Sequence, residues 1–161
     1  MSMRQRCLIF LLLIFWACGQ TEAQALIGTN AFPLSAKNPN GKVISLDSLR
    51  GKWVLVDFWA SWCRPCRQSN RVVRKFYPKW KEKGIEVFGV SLDENRSAWI
   101  KAIQSDKITW PQVNTAVNWD SPLIAQWQIN RIPTTFLIDP AGVIRVIDPD
   151  PGAILSFISK H

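Results

Sequence analysis

Trp53-Val-Leu-Val-Asp-Phe-Trp-Ala-Ser-Trp-Cys-Arg-Pro-Cys66 carries both the fold and the chemistry of this chain. From Trp53 to Ala60 it is a near-continuous apolar run, rich in β-branched and aromatic side chains and opened by Gly51-Lys52. Such a run reads as a central strand covered on both faces. Asp57 is the one charge inside it. Cys63 and Cys66 fall where this strand gives way to a helix expected from about Arg64 to Lys83. Val72, Val73, Phe76, Tyr77 and Trp80 recur on one helical face, and Arg67, Arg71, Arg74 and Lys81 on the opposite one. Gly84 is a C-terminal stop.

Downstream, Ile85 to Ser91 reads as a second buried strand, and Asp93 to Lys107 as a helix with Trp99, Ile100 and Ile103 inward. Asp120-Ser121-Pro122 opens a helix running to about Gln128, with the proline in its first turn. Thr134 to Asp139 is a third strand, Pro140 to Gly142 a turn, and Val143 to Ile147 its antiparallel return. Gly152 to His161 closes as a short helix. Upstream, residues 26–40 read as an irregular lead-in, and Lys42 to Leu46 as a short strand. The order predicts an α/β sandwich whose first two long strands are parallel through a crossover and whose last two form a hairpin.

The N-terminus is a different kind of sequence. Arg4 and Arg6 precede an unbroken apolar run, Cys7 to Cys18, and the segment ends in Ala23-Gln24-Ala25. A basic head, a short apolar stretch and an Ala-x-Ala end make a secretory signal over residues 1–25. Cleavage after Ala25 is the favoured reading. Lipid attachment at Cys18, before Gly19, is a second, and an uncleaved anchor a third. Residues 26–161 then form one domain. The formal net charge is +8, and with Arg4, Arg6 and Glu22 in the leader the rest carries 18 basic and 11 acidic residues. Solubility accounts for that balance, and the basic helix face reads as solvated, with an acidic partner as the alternative. Export argues against nucleic acid.

Beyond the leader the cysteines are Cys63 and Cys66 alone. A disulfide scaffold would need spread-out pairs. A bare C-x-x-C also fits half a zinc site or an inert disulfide. Zinc needs more ligands than this chain offers beside the pair, since its one histidine is His161. A loop this short constrains too little chain to serve stability alone. Redox chemistry is the favoured reading, and the placement supports it. A sulfur at a helix N-terminus meets unpaired N–H groups and the positive end of the dipole, which favour a thiolate. A thiol pKa near 8.5 can fall to roughly 3.5–7.5 there. Pro65 stiffens the first turn, and Arg64 adds a cation beside the sulfur. Asp57, buried without an evident partner, is expected to carry a raised pKa suited to proton transfer near neutrality.

Asp57 to Cys66 resembles the active-site signature of thioredoxins. From about Leu26 onward the chain resembles the TlpA/ResA branch of exported bacterial thioredoxin-like proteins. Leu46-Asp-Ser-Leu-Arg-Gly-Lys52 and Arg131-Ile-Pro-Thr-Thr-Phe-Leu-Ile-Asp139 carry the match outside the signature. The resemblance implies a thioredoxin fold, a three-layer α/β/α sandwich with a mixed sheet and an N-terminal extension. It implies that Cys63 attacks, that the more buried Cys66 resolves, and that Asp57 relays the proton of Cys66. Trp62, Arg64 and Pro65 would flank the substrate, and Ile132-Pro133 would form a cis-proline loop facing the pair. It implies protein disulfide substrates, no cofactor, no metal, a membrane thiol–disulfide electron donor and a periplasmic location. Cytochrome-maturation reductases of this branch carry Glu three residues after the second cysteine. Here that residue is Ser69, and the lead-in reads Ala31-Phe32-Pro33, so the substrate is not assigned to apocytochromes. The rival reading is a metallochaperone or binding module on the same scaffold. A peroxidase is a third, but its motif is missing around the cysteines.

Overall fold

The computed structural model describes residues 26–117 and 119–161, so the leader, with Cys7 and Cys18, lies outside the described residues. The strands are β1 (Ser35–Lys37), β2 (Val43–Ser45), β3 (Trp53–Trp59), β4 (Ile85–Ser91), β5 (Gln112–Asn114), β6 (Thr134–Ile138) and β7 (Ile144–Ile147). The helices are α1 (Arg64–Glu82), α2 (Arg96–Asp106), α3 (Pro122–Gln126) and α4 (Ile154–Ile158), and Leu46–Leu49 is a 3-10 turn.

Alternation along β3 sends its side chains to two covered faces. Val54, Val56 and Phe58 enter one apolar cluster with Phe88, Val113, Trp127 and Phe136, under α3 and the lead-in. Leu55 and Trp59 enter the other, with Cys66, Val73, Trp80, Trp99 and Ile154 from α1, α2 and α4. Helices thus lie on both faces of one mixed sheet, ordered β2-β1-β5-β4-β3-β6-β7. β3 runs parallel to β4 and antiparallel to β6. This is the thioredoxin fold with an N-terminal hairpin added at the far edge. Trp59, Trp80, Trp99 and Trp127 are each fully buried, and an indole of this kind costs about 3–5 kcal/mol when truncated to alanine.

α1 continues through Pro78, whose missing N–H and ring cost helical stability. Val73, Tyr77 and Trp80, buried on both sides of that proline, outweigh the local penalty. Two expectations about this helix are corrected. Val72 is 40% exposed, because the buried stripe narrows to Val73, Tyr77 and Trp80 where α2 covers it. Arg67 does not stand on a solvated face; its guanidinium grips the buried carboxylate of Asp106 at the end of α2. Asn70 Nδ2 donates to the same carboxylate at 3.0 Å. The strand β1 lies in the lead-in read as irregular, and β5 in a segment to which the sequence assigned no element. Both are three residues long and polar at their ends, and they become strands by pairing with each other and with β2 and β4.

Candidate active site

Cys63 is the N-cap of α1, and its sulfur accepts a hydrogen bond from Cys66 N at 3.2 Å. This is the helix-terminus arrangement that stabilises negative charge on sulfur. The two cysteines form a disulfide, with Cα atoms 5.2 Å apart. Cys63 keeps 6% of its surface and Cys66 none, so Cys63 is the more accessible of the two. Pro65 occupies the first turn, where it costs α1 no hydrogen bond. Arg64 is exposed beside it. The loop before the pair is fixed from below: Asp93 accepts from Ser61 N at 2.8 Å and from Ser91 Oγ at 2.7 Å. The Ile132–Pro133 bond is cis, and the Ile132 carbonyl oxygen lies 3.7 Å from the Cys63 sulfur.

Asp57 projects from β3 between Leu55 and Trp59, on the face that α1 and its cysteines cover. It is 1% exposed, and its Oδ1 has no hydrogen-bond partner among the described residues. Burial, with a smaller push from the charge of Asp148, raises its pKa from 3.8 to about 7. A carboxyl poised there exchanges protons near neutrality.

Trp62 is 61% exposed and lines an open groove of about 330 Å³ with Leu92, Asp93, Glu94 and Trp119. Sequence reasoning missed the groove's far wall. From sequence, Trp119 and Glu94 had no assigned role, and Asp93 was taken only as the start of a helix. The signal that marks them is their place past the C-terminal ends of neighbouring parallel strands, Asp93 and Glu94 after β4 and Trp119 after β5, where open α/β sheets gather their sites. Among the described residues no three His, Cys, Asp or Glu side chains gather as a metal site.

A cysteine pair closed as a disulfide at a helix head, with one residue slightly exposed and the other fully buried, suits thiol–disulfide exchange, and the class of protein is a thioredoxin-fold thiol–disulfide oxidoreductase. The chain belongs to the AhpC/TSA family, whose model matches residues 27–147. It is 31% identical over 144 residues to the thiol-disulfide oxidoreductase ResA of Bacillus cereus, covering 84% of this chain and 82% of that one. The ResA of Bacillus subtilis is 30% identical over 146 residues, covering 85% and 80%. Among solved structures, the thioredoxin domain of a thiol-disulfide oxidoreductase from Bacteroides vulgatus superposes with a TM-score of 0.76 at 31% identity, covering 83% of this chain and 96% of that one. A thiol-disulfide oxidoreductase from Bacteroides fragilis gives 0.74 at 30% identity, covering 82% and 98%.

Proposed function

We propose that this oxidoreductase is exported and reduces or isomerises disulfides of other exported proteins. The observation that carries the division of labour is the unequal exposure of the two cysteines at the head of α1. The Cys63 thiolate attacks a substrate disulfide, forming a Cys63–substrate bond and expelling the first substrate thiolate. Asp57 takes the proton of Cys66, whose sulfur attacks that of Cys63. The mixed disulfide breaks, the second substrate thiolate leaves, and the Cys63–Cys66 disulfide forms. Two electrons pass to the substrate, and a membrane thiol–disulfide donor restores them.

The Ile132–Pro133 loop meets the substrate backbone beside Cys63, and Trp62 its side chains. The closeness of the Ile132 carbonyl to the Cys63 sulfur and the exposure of Trp62 support this. Arg64 and Pro65 complete the rim. The leader supports export, with residues 1–25 removed or Cys18 lipidated. No described helix is long and apolar enough to cross a membrane.

Insulin reduction tests the reading. Wild type should precipitate insulin B chain in the presence of dithiothreitol, and Cys63→Ser should not. Cys63→Ser with full activity would reverse the assignment of the sulfurs. N-terminal sequencing of the cell-envelope fraction should give Leu26 or a lipid-blocked Cys18, and an intact Met1 on cytoplasmic protein would overturn export.

A further inference from the structure

Asp57 on β3 stands opposite Gly89 on β4, and Gly89 opposite Gln112 on β5. Neighbouring strands lie about 4.8 Å apart, so a side chain on β5 reaches β3 only if the middle position leaves room. Gly89 leaves it: a Cβ there would sit 2.0 Å from Gln112 Nε2. Gln112 therefore lies across β4 where Gly89 has no side chain, and its Oε1 accepts from Trp59 Nε1 at 2.9 Å. Trp59 and Asp57 are two residues apart on one strand and project from the same face.

Trp59 also settles which way the amide points. An indole N–H only donates, so the amide oxygen must face it and the amide nitrogen must face elsewhere. That nitrogen is buried with no partner among the described residues, and so is Asp57 Oδ1. An orphaned donor and an orphaned acceptor thus share one face and one row of the sheet. Leaving either unpaired is costly, and more so once the carboxyl carries a charge.

We propose that Gln112 is a positioning residue for proton transfer at Asp57: held over Gly89 by Trp59, its amide N–H is the hydrogen-bond donor that receives the Asp57 carboxylate when it ionises. The proposal rests on Asp57 being the base for Cys66. The donor favours the ionised form, which is the form able to accept the Cys66 proton, and it fixes where that carboxylate rests. Other titratable groups face Asp57 from two sides. Across the sheet face stand Cys63 and Cys66 on α1. Beyond β7 stands Asp148, whose charge is met by Arg131. Farther along the covered face, Tyr77 donates to Glu86, and Arg67 and Asn70 hold Asp106 of α2. The indole N–H groups of Trp80, Trp99 and Trp110 are also unpartnered on this face, but Gln112 Nε2 is the free donor in the Asp57–Gly89–Gln112 row of the sheet.

The test is a ¹³C NMR titration of the Asp57 carboxyl in the oxidised protein, assigned by its loss in Asp57→Asn. Gln112→Met keeps the bulk and removes the donor. Its Asp57 midpoint should lie about one pH unit above wild type, the size expected from losing a hydrogen bond to a charged group. The pH dependence of mixed-disulfide resolution should move by the same amount. Gln112→Asn keeps an amide one methylene too short to span Gly89, and should give the same displacement if the Met variant does not fold. A merely structural glutamine would alter stability and leave the midpoint in place, so an unmoved midpoint in either folded variant overturns the proposal. An Asp57→Asn enzyme with an unchanged pH–rate profile would instead overturn the role of Asp57 as base, a failure read independently of the carboxyl titration.

Discussion

Replacing Asp57 with Asn should make the oxidised protein more stable at pH 8 than at pH 4, relative to wild type. The carboxyl has a folded pKa of about 7 against an ordinary 3.8, chiefly because burial disfavours its charge. Between those values the unfolded chain has released the proton and the folded chain has not. Wild type therefore loses stability as pH rises through this window, by about 1.4 kcal/mol per unit, and the loss levels off above pH 7. Over the whole window the cost is about 4 kcal/mol. Asn cannot ionise and escapes it. Its buried amide adds a constant penalty of about 1–3 kcal/mol, the same at every pH. The net gain at pH 8 is then about 1–3 kcal/mol, turning into a loss near pH 4. Urea unfolding of both proteins at pH 4, 5, 6, 7 and 8, with the disulfide intact, reads this directly. A stability difference that is flat with pH would refute the argument, because it would mean that Asp57 ionises alike in the folded and unfolded chains.

Arg67→Ala should destabilise the protein by about 3 kcal/mol, since it strands the buried Asp106 carboxylate; chemical denaturation measures it, and Asp106→Asn should recover part of the loss in the double variant. The midpoint potential of the Cys63–Cys66 pair, equilibrated against glutathione, should fall at about −260 to −200 mV, modestly above thioredoxin. The helix N-terminus and the exposed Arg64 stabilise the Cys63 thiolate and hence the reduced form, while the anion of Asp57 opposes it. Arg64→Glu should lower the potential by about 30 mV for each pKa unit it adds to Cys63, and a wild-type value near −120 mV would make the protein an oxidant instead.

The long elements were legible because each announces itself alone. β3 and β4 are apolar runs seven residues long, and α1 repeats its apolar face over five turns. Their bounds differ from the expected ones by a residue or so. Ser35–Lys37 and Gln112–Asn114 carry no such signal; they are strands because of what lies beside them in the sheet. The same division runs through the site. Cys63, Cys66 and Asp57 sit in one stretch whose pattern exposes an odd charge and a close cysteine pair, and the structure brings all three to one face. Gln112, Asp93 and Trp119 come from distant segments; strand pairing brings Gln112 to Trp59, and loop folding brings Asp93 and Trp119 beside Ser61 and Trp62. Arg67 was misread for a related reason: its partner Asp106 sits 39 residues away, at the end of a helix whose buried side includes a carboxylate.

Trapping of the reaction intermediate tests the assignment of the two sulfurs most directly. Reduced Cys66→Ser protein, mixed with a peptide disulfide and quenched with acid, should show by intact mass a stable adduct of one protein and one peptide half, mapped to Cys63. Reduced Cys63→Ser, treated alike, should form little adduct, since its remaining sulfur is fully buried. Rapid adduct formation at Cys66 in Cys63→Ser, with none at Cys63 in Cys66→Ser, would contradict the account.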